Sequence, residues 1–270
     1  MCLTLLMLAM MGCSERVHPE PAPEHRAPSS AWKRLIARAT AGGGTDYDLI
    51  ADRRGILDNY LLWMGEHGPE EDNMRGSQSG KKIAFLINAY NAAVVAGVLR
   101  NREAASVMDV SAGMFPAGGA GFFLGQTFRA DGEWVTLYHL EHQYLLSDFE
   151  EPLIHAGLNC ASTGCPPLRY YTGNRKGQVE EQLEESMRDF LSSDQGIRPV
   201  EGGYAVTELM SWYADHFVDW SDATDLCSYM ADYTEEAVSL WLSQQAPCAL
   251  TFFPYDWSIN HAVASAEPDP

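Results

Sequence analysis

KKIAFLINAYNAAVVAGVLRNR, Lys81 to Arg102, decides the fold. It is apolar nearly all round and rich in helix formers, so it predicts a buried central helix and not a surface one. Asn88 and Asn91 sit inside it at i, i+3 spacing, which puts both amides on one face. A buried asparagine left without partners costs about 1–3 kcal/mol. Each must therefore satisfy a neighbouring loop or helix end, or orient a reactive group.

The N-terminal side of this helix reads as two amphipathic helices. Trp32, Leu35 and Ile36 mark the first, from Ala31 to Ala41, and Gly42-Gly43-Gly44 stops it. Asp46 caps the second, where Leu49, Ile50, Ile56, Leu57, Tyr60, Leu61 and Met64 recur at helical spacing. Gly65 to Gly80 is polar and reads as a loop.

On the C-terminal side, Ser111 to Gly125 is glycine-rich and has no fixed period. Its GGAGFFLG run is not a phosphate loop, because no Lys-Ser/Thr follows. QTFRADGEWVTL alternates around Asp131-Gly132, a two-residue hairpin signal. His139 to Ser147 reads as a short helix carrying Glu141 and His142, and Ile154 to Ala161 as a buried strand ending at the Cys160 turn. Gln178 to Ser193 is a strongly amphipathic helix; Thr207 caps another, and Ser221 and Thr234 begin two more. Trp212, Tyr213 and Phe217 have helical spacing and read as core, and Ala249 to Phe253 as a short strand. The expected architecture is a helix-rich α/β (α+β) single domain with a small, largely antiparallel sheet.

The length of 270 residues allows one sizeable domain, and 46% hydrophobic against 20% charged residues is the balance of a globular chain. Net charge is −19, from 37 acids and 18 bases, and such a surface repels phosphate backbones. No nucleic-acid partner is expected. The chain begins MCLTLLMLAMMGCSE; Leu3 to Met11 is too short to span a bilayer and fits a signal h-region. With Gly12 before it, Cys13 resembles the lipidated cysteine of bacterial lipoproteins, although Met10 stands where leucine is usual and no Lys or Arg precedes the apolar run. A membrane partner through a lipid on Cys13 is therefore expected. The site would be the periplasmic face of a bacterial membrane, with Ser14 favouring the outer one. Residues 1–13 form the signal segment, 14–30 a proline-rich extended tether, 31–260 the globular domain and 261–270 a tail. An exported compartment is oxidising, and Cys160, Cys165, Cys227 and Cys248 then allow three disulfide pairings.

Five motifs in order resemble one family. AFLINAYNA (Ala84–Ala92), LEH (Leu140–His142), IHAGLNCASTGCPPL (Ile154–Leu168), WYADHF (Trp212–Phe217) and YDWSIN (Tyr255–Asn260) are similar to the domain of unknown function 547. The resemblance supplies key positions more than a reaction: Asn88, Asn91, Glu141, His142, His155, Cys160, Ser162, Cys165 and Pro166. The family pattern has an arginine shortly after the Glu-His pair; here the run is EHQYLLSDFEE, without one. Cys227 and Cys248 lie outside the motifs and flank a helix pair, so they are the preferred disulfide.

Three chemistries fit these residues. In the first, a cysteine hydrolase or acyl transferase, Cys160 is the nucleophile, His142 or His155 its base with His142 favoured, and Asn88 or Glu141 orients that histidine. Backbone N–H groups of the Ser162–Gly164 turn supply an oxyanion hole. These roles, not the sequence, are papain-like or transglutaminase-like. His155 lies five residues before Cys160, on the opposite face if the segment is a strand and roughly 16 Å away. Asn91, His155, Ser162 and Cys165 are then binding residues, for an unknown small molecule or peptide. In the second, Cys160, Cys165, His142 and His155 hold zinc; the C-x4-C spacing is looser than a zinc knuckle, and no other cofactor is implied. In the third, Cys160 and Cys165 form a disulfide that braces the Pro-Pro turn of a non-catalytic binding module of the cell envelope.

Overall fold

The computed structural model describes residues 14–20, 28–68 and 79–262. The signal segment with Cys13, the centre of the expected tether, most of the Gly65–Gly80 loop and all but the start of the tail lie outside these residues. The described chain is helix-rich with two small sheets, an α+β domain in keeping with the expected class.

α1 (Pro28–Ala39), α2 (Tyr47–Asp52) and α3 (Arg54–Glu66) form the N-terminal helical layer. Asp46 caps α2 as its sequence position predicts, accepting the Leu49 N–H at 2.8 Å. α4 (Ser79–Arg100) is the central helix. Ile87, Ala89, Ala92, Ala93, Val94, Val95 and Ala96 are fully buried, so it is covered on all sides. It is long and apolar enough to cross a bilayer, but 94% of its most apolar stretch is buried inside the domain. One hydrophobic cluster runs from Val17 to Ile259 around it.

A short helix, α5 (Ala120–Phe123), precedes the first sheet, built from β1 (Glu15–Arg16), β2 (Gln126–Ala130) and β3 (Glu133–Thr136). β2 and β3 form the expected hairpin. Asp131 and Gly132 both have positive φ, +48° and +80°, as a two-residue turn matched to strand twist requires. The second sheet holds β4 (Ile197–Val200), β5 (Gly203–Thr207) and β6 (Thr251–Phe253). Each sheet is an antiparallel hairpin with a third strand added in parallel from a distant part of the chain. The single, largely antiparallel sheet expected from sequence is thus two mixed ones.

After β3 come α6 (Leu137–His139), a π-helix over Leu140–Leu146 and α7 (Ser147–Phe149). Next is α8 (Ile154–Gly157), one turn where a strand was expected. Pro152 and the Glu151 carboxylate, which accepts the Leu153 N–H at 3.0 Å, start that turn. A short apolar run fits a buried helical turn as well as a strand. α9 (Gln178–Leu191) lies against α4 and α8. α10 (Glu208–Trp212), α11 (Ala214–Asp219), α12 (Leu226–Ala231) and α13 (Glu236–Ser243) close the domain. Thr207 caps α10; Asp225 and Glu235 precede the last two helices, not Ser221 and Thr234.

Two more findings depart from the sequence reading. Glu15–Arg16, expected in an extended tether, pair with Gln126–Thr127, and Val17 is 4% exposed. Trp212 is 46% exposed and Tyr213 only half-buried, so both leave the core that helical spacing assigned them.

Candidate functional site

The two asparagines of α4 fix the loops beside it. Asn88 clamps the Tyr171 backbone, donating from Nδ2 to its carbonyl at 2.8 Å and accepting its N–H at 2.9 Å. With both amide groups engaged there, Asn88 orients no histidine, contrary to the role expected for it. Asn91 donates to the Gly157 carbonyl at 3.0 Å and accepts the Asn159 N–H at 2.9 Å. Asn159 then accepts the Ala161 N–H at 3.0 Å and donates to the Pro166 carbonyl at 2.7 Å. The central helix thus shapes the cysteine loop through one side chain and one relay.

That loop runs from Cys160 to Cys165, and the two sulfurs are joined in a disulfide. Ala161 takes the left-handed backbone, φ +64°, that Asn159 stabilises. The late YDWSIN segment lies along the loop. Thr163 N–H donates to Ser258 O at 2.7 Å, Gly164 N–H to Asp256 O at 2.9 Å, and Asn260 N–H to Ala161 O at 2.9 Å. The Thr163 and Gly164 donors are therefore spent on the C-terminal segment, which corrects the expectation that this turn forms an oxyanion hole. Ser162 is fully buried beneath it and does not line the cavity.

Gly164 lets Tyr255 lie against the loop: a Cβ there would meet the ring at 2.8 Å. The Tyr255 hydroxyl then sits 3.1 Å from Cys160 Sγ and 3.0 Å from Cys165 Sγ. Neither sulfur of a disulfide carries a proton, so the hydroxyl is the donor. Trp212 and Trp257 hold the ring from its other sides, at centroid distances of 4.9 and 4.6 Å.

Opposite this wall stands the π-helix, a rare geometry found often at functional sites. It presents Glu141 and His142. His142 stacks on Tyr138 at 4.0 Å, with its Nδ1 3.3 Å from the Tyr138 carbonyl. A carbonyl only accepts, so Nδ1 carries the proton and Nε2 is the basic nitrogen. Burial raises the Glu141 carboxyl above the ordinary carboxylate range; His142 and the Tyr90 and Tyr213 hydroxyls oppose that rise. Tyr213 donates to Glu141 Oε1 at 3.2 Å.

α8 brings His155 to the same cavity, because a helical turn points it where a strand would not. This overturns the expectation that His155 faces away from Cys160. His155 stacks on Tyr213 at 3.9 Å, and its Nε2 lies 2.9 Å from His216 Nδ1. Burial, with His216 and His142 nearby, depresses the His155 pKa to about 3.

The cavity encloses about 230 Å³. Glu141, His142, His155, Cys160 and Cys165 all line it; Asn88 and Asn91 do not. Seven of its fourteen lining residues are Phe, Tyr or Trp, and none is Lys or Arg. Both cysteines being in a disulfide, they offer no thiolate to a metal. Among the described residues one set of three metal-ligating types converges, Asp225, Cys227 and Cys248, and it lies elsewhere. There, Cys227 and Cys248 are likewise bonded, S–S 2.02 Å.

Residues 74–191 match the family model described as protein of unknown function, DUF547. The match supports the DUF547 family for this chain. No curated protein and no solved structure matches it. The DUF547 segment supplies α4, the π-helix, α8 and the cysteine loop, while Tyr213, Tyr255 and Trp257 come from beyond it. Sequence reasoning missed Asn159 and the site role of Tyr255. The order of the cysteine and YDWSIN motifs was the available signal, but pairing between them needs the fold.

Proposed function

We propose that the chain is an exported, lipid-anchored binding module of the cell envelope whose cavity takes a small organic cation on an apolar body. The observation that carries this is the lining: seven aromatic rings and the Glu141 carboxyl, with no Lys or Arg. Aromatic faces attract ammonium groups, most strongly where water is excluded. Two disulfides suit an oxidising compartment, which supports export and, with the Cys13 motif, a lipid anchor. The experiment is a titration read by fluorescence of Trp212 and Trp257. Phenyltrimethylammonium should bind about tenfold more tightly than uncharged benzyl alcohol. Equal affinity, or no quenching by either, overturns the reading.

A second reading is a cysteine hydrolase or acyl transferase. Its support is that Cys160, His142 and Glu141 line one cavity. It requires an open disulfide, since a sulfur held in one is no nucleophile. With Cys160 reduced, iodoacetamide should alkylate it below pH 7 and His142→Ala should slow that reaction. Alkylation with an unchanged rate in the variant removes His142 as the base.

A further inference from the structure

We propose that Cys160–Cys165 is an exchange-active disulfide, in which a thiol entering the aromatic cavity attacks Cys160 and Cys165 is the leaving sulfur. The inference shares the cavity with the cation reading but does not depend on it.

Accessibility chooses the attacked sulfur. Both cysteines line the cavity, but Cys160 is half-buried while Cys165 is 8% exposed. Hydrogen bonding chooses the leaving one. Cys165 Sγ accepts the Cys160 N–H at 2.9 Å, a donor that Cys160 Sγ does not have, and the Tyr255 hydroxyl, 3.0 Å from Cys165 and 3.1 Å from Cys160, can turn its proton to the sulfur that gains charge. Two donors aimed at one sulfur stabilise it as a thiolate, and a stabilised thiolate leaves faster. Tyr255 cannot drift from this position, packed between Gly164 and the two tryptophans.

A substrate thiolate bonds to Cys160 Sγ, the Cys160–Cys165 bond breaks, and its electron pair stays on Cys165 Sγ. A second substrate thiolate then attacks the substrate sulfur of this mixed disulfide and releases Cys160. Two thiols become one disulfide, the protein becomes a dithiol, and the two thiol protons pass to the two cysteines. The substrate class is a small dithiol, or a pair of monothiols, with an apolar body that suits the aromatic wall.

The second disulfide is an internal control. Cys227 is 2% exposed and Cys248 half-buried, and neither lines the aromatic cavity through which the thiol would enter.

The test uses the full oxidised chain with excess reduced glutathione, acid quenching and peptide mapping by mass spectrometry. The expected product carries glutathione on Cys160 and a free thiol at Cys165, with Cys227–Cys248 intact. Glutathione on Cys165, or opening of Cys227–Cys248 as fast as Cys160–Cys165, overturns the proposal. Tyr255→Phe should slow the opening about tenfold, the usual weight of a hydrogen bond to a charged group. An unchanged rate in a variant with native circular dichroism removes Tyr255 from the leaving-group role. The wild-type map stands without any variant, and the ammonium titration reads cation binding separately.

Discussion

At the scale of single residues, His155 carries the clearest consequence. Its pKa falls from 6.5 to about 3 because it is buried among His216, His142 and Tyr213. The unfolded chain therefore holds a proton on this histidine below pH 6.5 that the native state refuses until about pH 3. Where the unfolded state binds more protons, stability falls as pH falls. The native chain should lose stability as pH drops below about 6.5. His155→Gln should flatten this slope, read as the urea midpoint across pH 6.5 to about 4. An unchanged slope would show that other groups carry it. The two asparagines illustrate what sequence does at this scale. Their burial was legible from an apolar helix around them, and so was their need for partners. Which loop each would hold was not, because a partner 66 to 83 residues away is set by folding.

Among the elements, α8 rests on a glycine. A Cβ on Gly157 would meet Leu183 at 2.7 Å and Ile87 at 2.9 Å, so α8 touches both α4 and α9 through a position without a side chain. Gly157→Ala should destabilise the fold by about 1–3 kcal/mol, the usual cost of overpacking, measurable by urea denaturation. It should also move His155 and weaken whatever binds the cavity. The elements best read from sequence were those with a long period or a local rule. α4 and α9 announce themselves by composition and periodicity, and Asp131-Gly132 by turn chemistry. α8 is four residues long, below the length at which a period shows. The β4–β5 hairpin does not show by period: Glu201-Gly202 stands at its turn, but the flanking strands, Ile197–Val200 and Gly203–Thr207, do not alternate.

Across the whole molecule, the two disulfides do different work. Cys227–Cys248 closes a separation of 21 residues and Cys160–Cys165 one of 5. By chain entropy the first is worth about 3 kcal/mol and the second about 2. Replacing Cys227 and Cys248 together by serine should lower unfolding stability by about 3 kcal/mol, with the glutathione chemistry of Cys160 unchanged. The parallel pairings of β1 and β6 were invisible to local patterns, although Ala249–Phe253 reads as a strand, since each is added to a hairpin from far along the chain.

β1 also sets a distance. Ser14 Oγ donates to the Leu124 carbonyl at 2.8 Å, and Glu15 N–H to the Gly125 carbonyl at 2.7 Å. Arg100 pairs with Glu15 at 2.7 Å. One peptide bond separates Ser14 from Cys13, a reach of about 3.8 Å. A lipid on Cys13 would thus leave the domain almost no leash. It would sit flush on the bilayer with the Leu124–Gly125 corner turned to the headgroups, and Phe123 of the cavity wall beside it. Anchoring would then fix which way the cavity faces, and a few flexible residues inserted before Ser14 would set it swinging.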